Sequence, residues 1–228
     1  MEKIVTRIIE RLQPARIIGI TGSGGKTQSL IELATYYSKQ GLSVLMTTTT
    51  KLELPENRDF KADKYFFDKE IFSYEVKRGE KVLFAYKEKK LVSPPIEEIE
   101  KLSKKFDIVL FEADGAKNLP LKIHTYRDPV IPSFTEGVLC VIGFSPYGEV
   151  LSRKNCFGDI DYNGKVDVDF YNYYLTLNEG PCKNLIKNSL VFFNQADMME
   201  KEELKKVKQN LRSDYELIFG SMLENKVY

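Results

Sequence analysis

Residues 16–27 read Arg-Ile-Ile-Gly-Ile-Thr-Gly-Ser-Gly-Gly-Lys-Thr. No other stretch restricts the fold as tightly. An apolar strand runs into a glycine-rich turn, and Lys26-Thr27 opens a helix. Glycines let consecutive backbone N–H groups point into one concavity, because they tolerate positive φ. A helix N-terminus adds unpaired donors and a positive dipole end. The pattern is a phosphate cradle formed by Gly22, Ser23, Gly24, Gly25, Lys26, Thr27 and Gln28. Lys26 reaches the β- and γ-phosphates, and the Thr27 hydroxyl ligates Mg²⁺. The full G-x-x-x-x-G-K-[ST] spacing needs glycine at position 20, where the chain has Ile20. The G-x-x-G-K-T that starts at Gly22 resembles the shortened loop of Mur ligases more than that of Ras-like GTPases.

The flanking pattern predicts an α/β fold, three-layer and P-loop NTPase-like, with a mostly parallel sheet. Residues 2–12 form an amphipathic helix that Pro14 ends. Strands are expected at 15–20, 42–47, 63–67, 107–111, 137–144, 188–193 and 215–219. Helices are expected at 26–40, 94–105, 166–175 and 200–211. Alternating strands and helices imply parallel pairing. Residues 81–93 read as a small β-hairpin, an insertion or edge extension. Residues 147–164 carry no clear pattern. At 228 residues with 43% hydrophobic content, the chain is expected to form a single domain over 1–228.

In open α/β sheets ligands bind beyond the carboxyl ends of the strands. Four features fall there. The phosphate loop follows the first strand. Thr47 to Thr50 follow the second, with Thr48 a candidate metal-shell residue. Glu112 and Asp114 follow the 107–111 strand, where a carboxylate holds Mg²⁺ or orients water. Catalytic candidates are therefore Lys26, Glu112 and Asp114, and metal candidates are Thr27, Thr48 and Glu112. Asn194-Gln195-Ala196-Asp197 resembles the N-K-x-D base-reading motif of GTPases, with Gln195 in place of Lys. An Asn at a helix N-cap explains the same residues equally well. The cofactors implied are Mg²⁺ and ATP or GTP.

Composition excludes other classes. The net charge of +1 supplies no basic field for nucleic acid or an anionic membrane. No apolar run has the length of a membrane span. Cys140, Cys156 and Cys182 have no metal-ligand spacing and form no disulfide framework, so a reducing, cytoplasmic setting is expected. His124, the one histidine, lies in a proline-rich loop and reads as structural or surface-exposed.

The segments 20–27, 47–52, Phe111-Glu112-Ala113-Asp114-Gly115-Ala116-Lys117, Leu119-Pro120-Leu121-Lys122 and Asp128-Pro129-Val130-Ile131-Pro132 together resemble the YqeC family. The resemblance extends from the phosphate loop to the 194–197 segment. It implies a P-loop NTPase fold and an accessory role in maturing a selenium-dependent molybdenum hydroxylase or its cofactor. The family pattern has a His-Glu pair where this chain has Arg127-Asp128. Lys117, Lys122 and Arg127 give this segment a basic edge that suits phosphate or an anionic substrate. Three functions stay open: a Mg²⁺-dependent nucleotide hydrolase, a kinase or Mur-like ATP-dependent ligase acting on a small acid, and a non-catalytic nucleotide-binding module.

Overall fold

The computed structural model describes residues 2–228. Its first elements follow the apolar pattern directly. Helix α1 (Ile4–Leu12) buries Ile4, Val5, Ile8, Ile9 and Leu12 on one stripe. Strand β1 (Ile17–Gly22) is buried along its whole length and ends in the glycine turn. Helix α2 (Lys26–Lys39) starts at Lys26 with Gly25 as its N-cap. Strand β2 (Val44–Thr48) follows, then the short β3 (Lys51–Leu52), β4 (Lys64–Phe66) and β5 (Lys81–Phe84). Strands β6 (Tyr86–Lys87) and β7 (Leu91–Val92) form a hairpin and lead to α3 (Ile96–Ser103).

Strand β8 (Ile108–Glu112) carries the apolar run that ends in Glu112. Then come β9 (Leu121–Lys122), β10 (Gly137–Gly143), β11 (Cys156–Phe157) and α4 (Val168–Thr176). The chain closes through β12 (Ser189–Asn194), α5 (Lys201–Asn210), β13 (Glu216–Ser221) and β14 (Lys226–Val227).

Nine strands share one sheet in the order β14-β13-β12-β10-β1-β8-β2-β5-β4. All pair in parallel except the terminal β13–β14 pair. Side chains alternate between faces along a strand, and this sorts the core. Ile18, Ile20, Leu139, Val141, Leu190 and Phe192 join α1 and α2 on one face. Cys140, Ile142, Val191 and Phe193 meet α4 and α5 on the other. Ile17, Val109 and Phe111 meet α3 in a separate cluster. The result is helix, sheet and helix in three layers.

One expectation needs correction. Residues 81–93 are not all hairpin: β5 lies inside the main sheet, parallel to β2 and β4. Val82, Leu83 and Phe84 are fully buried, and an apolar run without alternation suits a strand covered on both faces. The hairpin itself is β6–β7, which pairs with β3 in a three-stranded sheet. Two further features carry no periodic signal. Strand β11 lies in the unpatterned 147–164 region and pairs with β9 in the loop after β8, and β14 adds two residues antiparallel to β13. Pairs this short are held by their surroundings.

The strand order sets the place of the site. From β1 the chain crosses to β2 on one side, returns to β8 beside β1, then passes to β10 on the other side. Connections diverge around β1, and the crevice outside such a reversal is where open α/β sheets take ligands.

Candidate functional site

A cleft of about 910 Å³ opens at the carboxyl ends of the strands and is lined by Gly24 to Gln28, Glu112, Asn194 and Asp197. The phosphate loop requires its glycines. Gly22, Gly24 and Gly25 have φ of +86°, +77° and +132°. A Cβ at Gly22 would lie 2.1 Å from the Val141 carbonyl oxygen, and one at Gly24 would lie 2.5 Å from Gly143 Cα. At Gly25 it would lie 2.3 Å from Asn194 Nδ2. Ile20 is fully buried in β1, so the left-handed turn begins at Gly22. The Gly22 N–H donates to Asp114 Oδ2 (2.8 Å) and the Ser23 N–H to the Val141 carbonyl (2.8 Å). The Ser23 hydroxyl donates to the Pro120 carbonyl (2.8 Å). The N–H groups of Gly24 and Gly25 meet no acceptor among the described residues. Helix α2 has no side-chain cap, so its first N–H groups add to that open set.

Lys26 is almost wholly buried. Its Nζ donates to the Gly22 carbonyl (2.7 Å) and pairs with Asp114 Oδ1 (3.0 Å). The Thr27 hydroxyl donates to Glu112 Oε1 at 2.5 Å, so a hydroxyl oxygen and a carboxylate oxygen sit side by side at the cleft wall. Burial pushes the Glu112 carboxyl above its ordinary value, partly opposed by Lys26 and the Thr27 hydrogen bond. Gln28 Nε2 donates to Glu32 Oε1 (2.9 Å), and its Oε1 accepts from Arg58 Nη2 (3.2 Å).

Asp114 has no exposed surface. It accepts from Gly22, pairs with Lys26, and its Oδ2 lies 2.7 Å from His124 Nε2 and 3.8 Å from Lys122 Nζ. Burial alone would raise its pKa; Lys26, the His124 hydrogen bond and Lys122 outweigh that and hold it well below the carboxylate range. His124 is buried, and its Nδ1 lies 2.8 Å from the Gly180 carbonyl. Both ring nitrogens thus face oxygen acceptors. Lys122 is fully buried and ion-paired with Asp128. Asp128 Oδ1 also accepts from the Thr125 N–H (2.6 Å) and hydroxyl (2.8 Å). Beneath the phosphate loop lies a packed layer of alternating charges.

Several sequence expectations change place. Asp114 reaches the floor of the loop rather than the open cleft. The hydroxyls of Thr47, Thr48 and Thr49 donate to the carbonyls of Phe84 (2.7 Å), Glu112 (3.0 Å) and Val130 (2.8 Å). Thr48 is therefore a strand-end tie, and Thr50 is the threonine that lines the cleft. Lys122 leaves the expected basic edge for the interior, while Lys117 and Arg127 stay exposed. His124 is not at the surface: it is buried and ties the acid under the loop to the Gly180 carbonyl, a structural placement.

Asn194 joins two elements. Its Nδ2 donates to the Gly24 carbonyl (2.8 Å), and its Oδ1 accepts the Met222 N–H (2.9 Å). It caps no helix: Gln195, at φ +66°, precedes the short turn Ala196–Met198 with no side-chain cap. Asp197 is exposed on the cleft wall, beside exposed Met198 and Leu223. Sequence reasoning missed Arg58 and the Lys122–Asp128 pair. Arg58 lies in an unpatterned loop with no signal. The pair had one: a lysine and an aspartate six residues apart among apolar and proline neighbours.

Burial raises the Cys156 and Cys182 thiols to about 11 and Cys140 further, so none is a ready nucleophile. Among the described residues no helix is long and apolar enough to cross a membrane, and no group of three His, Cys, Asp or Glu side chains forms a metal cage.

The family model described as YqeC protein matches residues 18–159. That span holds β1 to β11, with the phosphate loop, Glu112, Asp114, His124 and Asp128. The match ends before Asn194, so the 194–197 segment lies outside it, short of the span the resemblance implied. A protein of Escherichia coli (strain K12), named as uncharacterized protein YqeC, is 28% identical over 146 residues. The alignment takes in 61% of this chain and 56% of that relative, so the chain spans little more than half the relative's length.

Proposed function

The chain belongs to the YqeC family, and from the geometry of its phosphate loop we propose that it binds Mg²⁺–ATP or Mg²⁺–GTP and hydrolyses it. One observation carries this reading. Three glycines held at positive φ against backbone and Asn194 leave the Gly24 and Gly25 N–H groups without an acceptor among the described residues, together with the start of α2, at one end of the cleft. Backbone N–H groups that converge at a helix start suit an anion.

The roles follow from the contacts. Lys26 gives its charge to phosphate oxygens, exchanging the Gly22 carbonyl for a stronger charge-assisted partner. Asp114 keeps Gly22, His124 and Lys122 when that happens, so the loop floor stays compensated. Thr27 and Glu112 supply the oxygen pair for Mg²⁺, a hard cation that takes one or two carboxylates together with substrate phosphates. The metal, when bound, neutralises charge on the phosphate oxygens. Asp197, with Met198 and Leu223 beside it, offers the acceptor and apolar walls for a base.

Calorimetric titration with Mg²⁺ and non-hydrolysable ATP and GTP analogues tests the binding. Wild type is expected to bind one of them and Lys26→Ala to lose at least tenfold in affinity. Absence of binding to both analogues refutes the reading. Phosphate release by wild type and not by Lys26→Ala tests hydrolysis.

The family resemblance supplies the setting we propose: maturation of a selenium-dependent molybdenum hydroxylase or its cofactor. A strain without this protein should then hold inactive hydroxylase, and full hydroxylase activity there removes this part. A kinase or Mur-like ligase acting on a small acid is the second reading, favoured by the shortened G-x-x-G-K-T loop from Gly22.

A further inference from the structure

One buried side chain joins the cleft at β12 and β13 to the phosphate loop. The two strands pair in parallel, with Phe193 beside Phe219. Asn194, the last residue of β12, spends its amide on the Gly24 carbonyl (2.8 Å) and its Oδ1 on the Met222 N–H (2.9 Å). Three segments therefore meet at Asn194: the phosphate loop, the turn after β12 and the turn after β13. Gln195 follows at φ +66°, a conformation that strains a residue with a side chain. Its Oε1 accepts the Ser145 N–H (3.3 Å). Past it Ala196 is buried, while Asp197 and Met198 are exposed. Leu223, next to the bonded Met222, is exposed as well. Asp197, Met198 and Leu223 all line the cleft.

Asp197 differs from the other acids of the cleft. Its lining holds the carboxylates of Glu53, Glu112, Asp128 and Asp197. Glu53 pairs with Lys90 (2.5 Å), Glu112 accepts from the Thr27 hydroxyl, and Asp128 pairs with buried Lys122. Asp197 has no ion pair among the described residues. The hydrogen bonds around it end on Asn194, Gln195 and Ser221. Like charges repel, so this carboxylate does not serve the phosphates. Ionised, it is acceptor-only, with two oxygens to fill. The purines differ in what they offer such a group. Guanine presents two adjacent donors, N1–H and the 2-amino group, which match both oxygens. Adenine presents one donor, its 6-amino group, beside N1, a lone-pair acceptor that would face the second oxygen. Met198 and Leu223 add apolar surface for the ring.

We propose that Asp197 selects guanine, so that the cleft takes GTP and discriminates against ATP, with Asn194 as the positioning residue that sets the carboxylate beside the phosphate loop. The proposal rests on the nucleotide reading and narrows it to one base.

The test is a calorimetric titration, with Mg²⁺, of non-hydrolysable GTP, ATP and xanthosine triphosphate analogues into wild type and Asp197→Asn. A bidentate pair discriminates by about 1–3 kcal/mol, so wild type should bind the GTP analogue at least about tenfold more tightly than the ATP analogue. Xanthine carries a carbonyl where guanine has the 2-amino group. An asparagine amide, one acceptor beside one donor, matches xanthine and mismatches guanine. Asp197→Asn should therefore lose about tenfold for GTP, gain about tenfold for xanthosine triphosphate and keep its ATP affinity. A merely structural Asp197 would weaken all three alike and gain nothing, and that result overturns the proposal. ATP bound as tightly as GTP by wild type, or GTP affinity unchanged in Asp197→Asn, also overturns it and leaves the nucleotide reading standing. No binding of any analogue to wild type removes the nucleotide reading and this assignment with it.

Discussion

Glu112 and Asp114 stand two residues apart and titrate in opposite directions, because their neighbours differ. Glu112 has one hydroxyl donor and heavy burial, so its pKa rises. The folded state then holds the proton more firmly than the unfolded chain does, and stability falls as pH climbs from about 4.3 through the raised folded value. Glu112→Gln keeps an oxygen for Thr27 and removes the buried charge. It should raise the melting temperature at neutral pH and weaken the Mg²⁺ dependence of nucleotide binding; a lowered melting temperature contradicts the burial argument. Asp114 is surrounded by cations, so its folded pKa is depressed. Its stabilisation is present above about pH 3.9 and lost as pH falls through the folded value. Asp114→Asn leaves Lys26, Lys122 and His124 without their shared anion. Removing one member of a buried ion pair costs about 3–5 kcal/mol. Urea denaturation should show this loss at pH 7 and a flatter acid limb; a change under 1 kcal/mol would mean the cations find other partners.

Asn194 shows what an element end contributes. One side chain satisfies the Gly24 carbonyl and the Met222 N–H, tying the ends of β12 and β13 to the phosphate loop. Asn194→Ala leaves both groups unsatisfied at about 1–3 kcal/mol each, discounted where water enters. The variant should fold, lose stability, and bind nucleotide more weakly through a loosened loop. Unchanged affinity would show that the loop holds its shape without this tie. The hairpin β6–β7 has the opposite character. Its Lys87–Glu56 and Lys90–Glu53 pairs are exposed, and exposed pairs contribute roughly 0–1 kcal/mol. Lys87→Ala is expected to shift stability by less than that in the same denaturation experiment.

For the whole molecule, the nine-stranded sheet sets β1 beside β8, which brings the glycine loop and Glu112 together at one end. A ligand that binds only the folded chain stabilises it by mass action, about 2.7 kcal/mol at one hundred times its Kd. For a chain of 228 residues this corresponds to a rise of roughly 5–11 °C in melting temperature. Mg²⁺ with the preferred nucleotide should produce it in wild type and not in Lys26→Ala. No shift at saturating nucleotide would argue against the cradle as a binding site.

The apolar runs and the glycine turn were legible from the chain because their causes are local. The unbroken apolar runs of the strands, the 3.6-residue stripe of α1 and the positive φ of Gly22, Gly24 and Gly25 depend on neighbours a few residues away, so strand order aside, the layers could be read in advance. The place of Glu112 at a strand end beside Thr27 followed from the same logic. Strand β5 misled as hairpin because its cover is non-local: Leu83 joins the core cluster of α1 and α2 on one face, and Val82 and Phe84 join Ile71, Ile99 and Leu102 on the other. The fates of Thr48, Lys122, His124 and Asp114 were equally non-local. A threonine hydroxyl can face a ligand or a carbonyl, and a lysine can face water or an aspartate. That choice belongs to whichever segment packs against it. Sequence determined where the glycine turn meets the start of a helix; the fold of 114–130 beneath it decided which charges hold that turn in place, because desolvation and pairing exist only once distant segments meet.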